Sequence, residues 1–585
     1  MHRLLILAVA LLLAAPAAEA QQPGTDFVTV VFHDVVATRA ELQSDSISTS
    51  ELIRFFDWLK GNGWTPISLD DLDAARRGAR PLPPKAILLT FDDGYQSFYT
   101  EVYPLLLAYR YPAMVALVGS WMAGAPGSLV EYGDQQVPRE TFLTWAQLRE
   151  MATSGLVEVA SHSFDLHKAI PANPQGNLLP AGSTWAYDAK TGRYEEDGAY
   201  RARIRRDLAA ARDQIARELG RPPRALVWPF GRYTGPAIAE ARAAGFTDIF
   251  TLAHAPDALD RLDEIGRLYP VASDQLRDIA TELRFEPPKA ETVRIACLAL
   301  DGIAPQSGAA AQDEALGAMV AAVQRIGANV VVIDAGVALP SPTAPLRAVY
   351  FPTALRPVAA DLLGRAVWQM RTRAGVDAVY LRLPLRAARA AVGEAALGRL
   401  YADMYRFTAA DGLVLDAAPG LAAAGADGAP SSSAPWDLAA RRRVFDPASL
   451  SGDDKDSWIA WQAAFAIEPR LRLMLMAPTA TPTTRWPAPL ADLLLLPPTT
   501  DTGGLARALR SRQWLQPAQS GRVVLTLPDS SIRAMTDAMR AAQAEGATAF
   551  AFCPPGDRMP LPDLDAAEIA RLSATFSAAS FPLTP

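Results

Sequence analysis

Five histidines occur in this chain of 585 residues, and three of them stand directly after short apolar runs in its first half. His33 closes the run Val28-Thr-Val-Val-Phe-His33 and is followed by Asp34. Asp92 and Asp93 follow Ile87-Leu-Leu-Thr-Phe91 and precede Gly94; His162 and His167 follow Val157-Glu-Val-Ala-Ser161. Two imidazoles with one carboxylate form a facial metal set that leaves positions open for water and substrate. The five-residue spacing of His162 and His167 does not suit one helix face, so a loop through Ser163–Asp165 must present them. Adjacent side chains diverge, so one of Asp92 and Asp93 falls to the metal and the other beside the water. A divalent metal lowers that water's pKa and polarises a scissile carbonyl. A neighbouring carboxylate can take the proton, and an imidazole on the far side can protonate a departing amine. Each piece alone has an ordinary reading: Asp-Asp-Gly is commonly a turn, and a lone histidine at a strand end is more often structural. Their convergence in one segment with so few histidines favours the metal.

The elements that must position these residues alternate as short apolar runs and amphipathic stretches, the pattern of parallel sheets with covering helices. In the first half the predicted strands are Val28–His33, Ile87–Phe91, Met114–Gly119, Val157–Ser161, Ala225–Phe230 and Asp248–Leu252. Helices are predicted over Arg201–Leu219 and Pro236–Ala244, and the polar, Gly- and Pro-rich stretch Pro171–Gly198 reads as a long surface loop. In parallel α/β sheets ligands bind at the carboxyl ends of strands, so three segments bring carboxylates and imidazoles to one edge.

A break falls near Arg284-Phe-Glu-Pro-Pro-Lys289. Beyond it come eight predicted strands, Arg294–Leu300, Asn329–Ala335, Ala378–Leu383, Leu413–Asp416, Leu471–Met476, Asp492–Leu496, Val523–Leu527 and Thr548–Cys553. Eight βα units suggest a closed barrel, although the Pro-rich stretch Thr479–Ala491 gives poor support for a helix between the fifth and sixth. Ala422–Pro435 is low-complexity and reads as a loop. The length exceeds one compact core, so the expected organisation is a domain over 27–285 and a second over 290–575.

Residues 1–20 carry a basic start, an apolar run from Leu4 to Ala15 and Ala18-Glu19-Ala20 before Gln21, the pattern of a cleaved secretory signal. No cysteine follows that site to carry a lipid, and no later segment is long and apolar enough to span a membrane, so the expected mature chain is exported and soluble. The net charge of −7 gives no basic footprint for nucleic acid. Cys297 and Cys553 are too few for a disulfide scaffold. An exported compartment permits a bridge between them, but two small buried side chains are the favoured reading.

Thr90-Phe-Asp-Asp-Gly94 and Ser161-His-Ser-Phe-Asp-Leu-His167 resemble the first two motifs of carbohydrate-esterase family 4, the polysaccharide deacetylases. The resemblance implies a distorted (β/α) barrel, Asp92 as general base, and Asp93, His162 and His167 on a divalent metal, usually zinc, with cobalt or nickel as substitutes. Trp228-Pro229-Phe230-Gly231 resembles the third motif, which lines the substrate groove. The family's catalytic-acid histidine usually ends the domain. Here the matching strand and His33 come first, as in the circularly permuted branch of the family, which includes deacetylases of poly-β-1,6-N-acetylglucosamine. The third motif commonly carries an arginine where Val227 stands, and Arg224, Arg232 and Arg267 are the cations that could orient the base instead. His254 matches no motif and reads as structural.

Gly155–Lys168, Val349-Tyr-Phe-Pro352 and Trp368–Gly375 resemble the two-domain bacterial members of that branch, whose C-terminal (β/α)8-like barrel binds the polymer and can hydrolyse it. Glycoside cleavage needs two acids flanking the bond, and the family's cluster follows the fourth barrel strand. This chain has Leu415-Asp416-Ala-Ala418 there, leaving one acid. Asp301 and Asp334 also sit at strand ends as a replacement pair, against a reading as solvated or capping residues. Trp368, Trp436, Trp458, Trp461, Trp486 and Trp514 offer stacking faces for sugars or serve as packing. The expected function is deacetylation of an exported amino-sugar polymer in the periplasm, with an outer-membrane export pore as partner and hydrolase activity lost. The rivals are a deacetylase of peptidoglycan or chitin-like chains and a non-catalytic polysaccharide-binding scaffold.

Overall fold

The computed structural model describes residues 26–253 except 44, then 257–259, 262–269, 279–281, 283, 292–341, 344–416, 450–477, 491–511, 515, 520–527, 532–553, 567, 570 and 573. Seven parallel strands form the first sheet: β1 Val28–Phe32, β2 Thr65–Pro66, β3 Ala86–Phe91, β4 Ala113–Leu117, β5 Val157–Ser161, β6 Ala225–Val227 and β7 Asp248–Phe250. Their order is β1-β3-β4-β5-β6-β7, with the short β2 against the start of β3. The two-residue β2 escaped the sequence reading because so short a segment has no periodicity to detect. One later segment draws the sheet's edges together: Ile265 bridges Phe250 of β7 and Leu268 bridges Val30 of β1. The result is a distorted barrel whose interior is filled by Leu88, Met114, Ala116, Ala160, Val227 and Phe250. A second layer of Phe55, Phe56, Leu59, Leu106 and Met151 packs helices on the outside.

The predicted surface loop over 171–198 is more ordered than its composition suggests. It folds into two small hairpins, Ala169–Pro171 with Leu178–Pro180 and Tyr187–Asp188 with Arg193–Tyr194. Trp185 is buried between them and stacks on Tyr200 at 4.0 Å. Arg203, on the helix Asp197–Leu219, donates to the carbonyls of Ala181 and Thr184 and so satisfies turn backbone that lacks a ladder.

The second sheet closes completely. Its strands are β8 Arg294–Leu298, β9 Val330–Asp334, β10 Ala378–Arg382, β11 Gly412–Leu415, β12 Arg472–Met476, β13 Leu493–Leu496, β14 Val523–Thr526 and β15 Phe550–Phe552, joined in chain order into a barrel. Ile295, Val332, Tyr380, Val414, Met474 and Leu495 fill the interior. Gly412 makes room for the Tyr380 ring, because a Cβ there would lie 2.2 Å from that ring. The two cysteines do not remain free as expected: Cys297 on β8 and Cys553 beyond β15 form a disulfide across the seam where the first and last strands meet. Adjacency in the closed barrel, invisible at a sequence separation of 256, is what pairs them. The stretches 422–435 and 479–490, His254 and residues 1–20 lie outside the described residues. Among the described residues no helix is long and apolar enough to cross a membrane.

Candidate active site

The chemistry-bearing residues gather at the carboxyl ends of β1, β3 and β5, where a parallel sheet presents its ligands. His33 directly follows β1. Asp92 and Asp93 follow β3, and the Asp92 amide donates to Phe32 O at 2.9 Å, tying the two strand ends together. Asp93 adopts a left-handed backbone (φ 69°), which swings its side chain away from that of Asp92.

Asp93, His162 and His167 each offer a ligand atom within 4.8 Å of the others. Asp93 Oδ1 lies 3.5 Å from His162 Nε2 and 3.4 Å from His167 Nε2. His162 Nδ1 lies 2.8 Å from Val227 O. A carbonyl only accepts, so Nδ1 carries the proton and Nε2 turns a lone pair toward Asp93. Burial pushes the His162 and His167 imidazoles down to about 4, which keeps them neutral. Asp93 Oδ1 is itself buried and accepts no hydrogen bond. Lone pairs converging on an orphaned carboxylate oxygen repel unless a cation lies between them, so this donor set fits a divalent metal. Burial also raises the Asp93 carboxyl, a cost that a bound cation would offset.

Asp92 stands apart from that triad. Its Oδ1 accepts from Arg267 Nη1 at 2.8 Å, and both side chains are almost fully buried. Burial alone would raise this carboxyl, but Arg267, with His162 and His33, outweighs it and holds the group well below the usual carboxylate range. Of the three candidate arginines, Arg267 is therefore the one that pairs with Asp92. Its Nε donates to Thr251 O at 3.0 Å, which fixes the guanidinium in place. Arg224 pairs with Asp70, Asp73 and Glu158. Arg232 lines a crevice with Trp185 and Phe407.

Several residues that the sequence did not single out complete the site. Tyr132, on a hairpin formed by Leu129–Tyr132 and Gln135–Pro138, donates to Asp93 Oδ2 at 3.0 Å. Asp207 accepts from the amides of Phe164 and Asp165 at 2.8 and 2.7 Å, clamping the loop between the two histidines. Ser163 within that loop has φ 68°. Trp121 and Phe230 flank His167 at ring separations of 4.9 and 4.5 Å, and Tyr269 lies 4.9 Å from His33. In the segment Trp228–Gly231, Trp228 and Pro229 are buried and Phe230 is 45% exposed. The alternation of the hairpin was too short to stand out, and Asp207 looks like any polar residue of an amphipathic helix.

Residues 79–249 match the polysaccharide deacetylase family. A structure of a de-N-acetylase from Aggregatibacter actinomycetemcomitans is 37% identical, covering 44% of this chain and 99% of that one, with a TM-score of 0.42. The BpsB deacetylase domain from Bordetella bronchiseptica is 42% identical, covering 42% of this chain and 96% of that one, with a TM-score of 0.39. Residues 79–249 thus carry a polysaccharide deacetylase domain. The poly-beta-1,6-N-acetyl-D-glucosamine N-deacetylase of Escherichia coli (strain K12) is 37% identical over 368 residues, 63% of this chain, and the match spans 54% of that relative's length.

The second barrel has its own partial match, residues 299–400 with a hypothetical glycosyl hydrolase family 13. Its candidate acids are all engaged. Asp334 makes a two-point ion pair with Arg382, at 2.5 and 2.6 Å. Asp416 Oδ1 accepts from the Leu385 amide at 3.0 Å, capping the helix Leu385–Val392, and Asp301 Oδ1 accepts from the Ala338 amide at 2.7 Å. Trp461 is buried, with Trp458 packed on it at 5.1 Å, and Arg365 lies over the Trp368 ring at 5.5 Å. Trp436, Trp486 and Trp514 lie outside the described residues.

Proposed function

We propose that this chain is an exported, zinc-dependent N-deacetylase of poly-β-1,6-N-acetylglucosamine. The observation that carries the reading is the pairing of a buried Asp93–His162–His167 donor set with an Asp92 carboxylate kept ionised by Arg267. Asp93, His162 and His167 would hold a zinc ion, whose chemistry there would be Lewis-acid polarisation of the acetamide carbonyl and acidification of the attacking water. Asp92 takes the water's proton as general base. His33, beyond the end of β1, delivers a proton to the departing sugar amine. Trp228, Pro229, Phe230 and Gly231 shape the groove that orients the sugar. Trp121, Tyr132 and Phe230 around His167 keep bulk water from the site.

The second barrel is read as a polymer-binding domain without hydrolase activity. Support comes from Asp334, both of whose oxygens are tied up in the ion pair with Arg382, and from Asp416, which stands as one acid after the fourth barrel strand where glycoside cleavage needs a flanking pair. Export to an oxidising compartment is supported by the Cys297–Cys553 disulfide. The periplasm, with an outer-membrane pore as partner, is the expected setting, since a deacetylated, cationic polymer would leave through such a pore.

Acetate release is to be compared on β-1,6-N-acetylglucosamine oligomers, chitin oligomers and peptidoglycan fragments. The expected result is fastest release from the β-1,6 oligomers with no shortening of the chain. Preference for chitin or peptidoglycan would move the substrate to those polymers. No release from any of them by a metal-loaded chain would leave a binding scaffold.

A further inference from the structure

The groove segment sits in an unfavourable backbone conformation, and the residue that braces it comes from the other half of the molecule. Phe230 has φ 58° and Gly231 φ 60°, two consecutive left-handed residues. A phenylalanine there is strained, and such a turn persists only where its surroundings over-determine it. A Cβ on Gly231 would meet Leu252 at 2.6 Å, so the turn is wedged from one side by the chain beyond β7. From the other side Arg470 Nη1 donates to Gly231 O at 3.2 Å.

Arg470 lies between the helix Gly452–Ile467 and β12 of the second barrel. Its Nε donates to Glu468 Oε1 at 3.2 Å and its guanidinium lies over the Tyr233 ring at 5.2 Å. Glu468 thus holds the fork in register while the second nitrogen reaches the groove segment. The contact beside it is tight: a Cβ on Gly235 would lie 2.1 Å from Ala466 O. Residues 231–235 are therefore gripped by residues 466–470. The Phe230 ring that this turn projects lies 4.5 Å from His167.

We propose that Arg470 of the second barrel is a positioning residue for the deacetylase groove, holding the Phe230–Gly231 turn through Gly231 O. The inference rests on the deacetylase reading above. It makes the second barrel part of the apparatus that shapes the first site, in addition to any hold it has on polymer.

The test uses the full chain with Arg470→Ala, Arg470→Lys and Phe230→Ala, and the double variant Phe230→Ala with Arg470→Ala. Two quantities are read: steady-state kinetics on N-acetylglucosamine oligomers, and hydrogen–deuterium exchange of the peptide covering 228–235. Arg470→Ala is expected to raise KM about tenfold with a smaller change in kcat, the scale of one lost charged hydrogen bond. Exchange over 228–235 should rise, while metal content stays that of the parent. Arg470→Lys, which keeps the charge but not the fork, should fall between the two. In the Phe230→Ala background the Arg470 effect should shrink to about twofold or less, since both act through one turn. An unchanged KM and exchange, or fully multiplicative effects in the double variant, would overturn the proposal. Absence of acetate release from the parent chain would sink the functional reading, and exchange over 228–235 alone would then decide the positioning role.

Discussion

At the scale of single residues, the site separates two carboxylates that are neighbours in the chain. Asp93 points its orphaned oxygen at two neutral imidazoles, while Asp92 faces a buried guanidinium. Arg267 holds the folded-state pKa of Asp92 low, so this carboxylate is ionised across the neutral range and is protonated only well into acid. Arg267→Met removes the cation and leaves the burial, which raises that pKa. Activity should then fall as pH drops through the new, higher value, and the acid limb of a kcat/KM profile should move to higher pH. Tyr132 acts on the other carboxylate. Tyr132→Phe removes the hydrogen bond to Asp93 Oδ2 and should weaken metal affinity about tenfold, measured by chelator competition. The gathering of Asp93, His162 and His167, with Asp92 and His33 at neighbouring strand ends, was legible because imidazoles and paired acids are rare and stood at predicted strand ends. Tyr132 and Asp207 were not, since hydroxyls and single acids are common and only the fold shows what they face.

At the scale of elements, the sheets followed from apolar runs of four to six residues, as in β3 and β9, bounded by polar stretches. All eight strands of the second barrel were legible in this way. The stretch 171–198 misled because its order comes from distant partners, Arg203 and Tyr200 on the following helix, and not from local alternation. The loop from His162 to His167 depends likewise on a helix residue. Asp207→Ala leaves the amides of Phe164 and Asp165 without their acceptor and should release that loop. Metal content after dialysis should fall while the circular dichroism of the helices is retained. Retention of full metal content would show that the loop holds its shape without the clamp.

At the scale of the whole molecule, the barrel seam and the contact between halves are the features that sequence spacing could not reveal. Cys297 and Cys553 close a loop with a sequence separation of 256. Replacing both by alanine should cost about 2–5 kcal/mol, seen as a lower midpoint in thermal unfolding. Equal midpoints would mean that the strand pairing of β8 with β15 already closes the barrel unaided. The halves also share a continuous apolar core, which includes Trp185, Trp228 and Tyr233 from the first and Trp461 and Phe465 from the second.

The central claim is that one metal at Asp93, His162 and His167 works with Asp92 to remove acetyl groups. The most direct measurement is acetate release from β-1,6-N-acetylglucosamine oligomers by metal-stripped, zinc-reconstituted and Asp92→Asn chains. Release is expected only after reconstitution, with loss by at least about a hundredfold in the Asp92→Asn chain although it still binds one zinc. Release that survives metal stripping, or that survives Asp92→Asn unchanged, would contradict the claim.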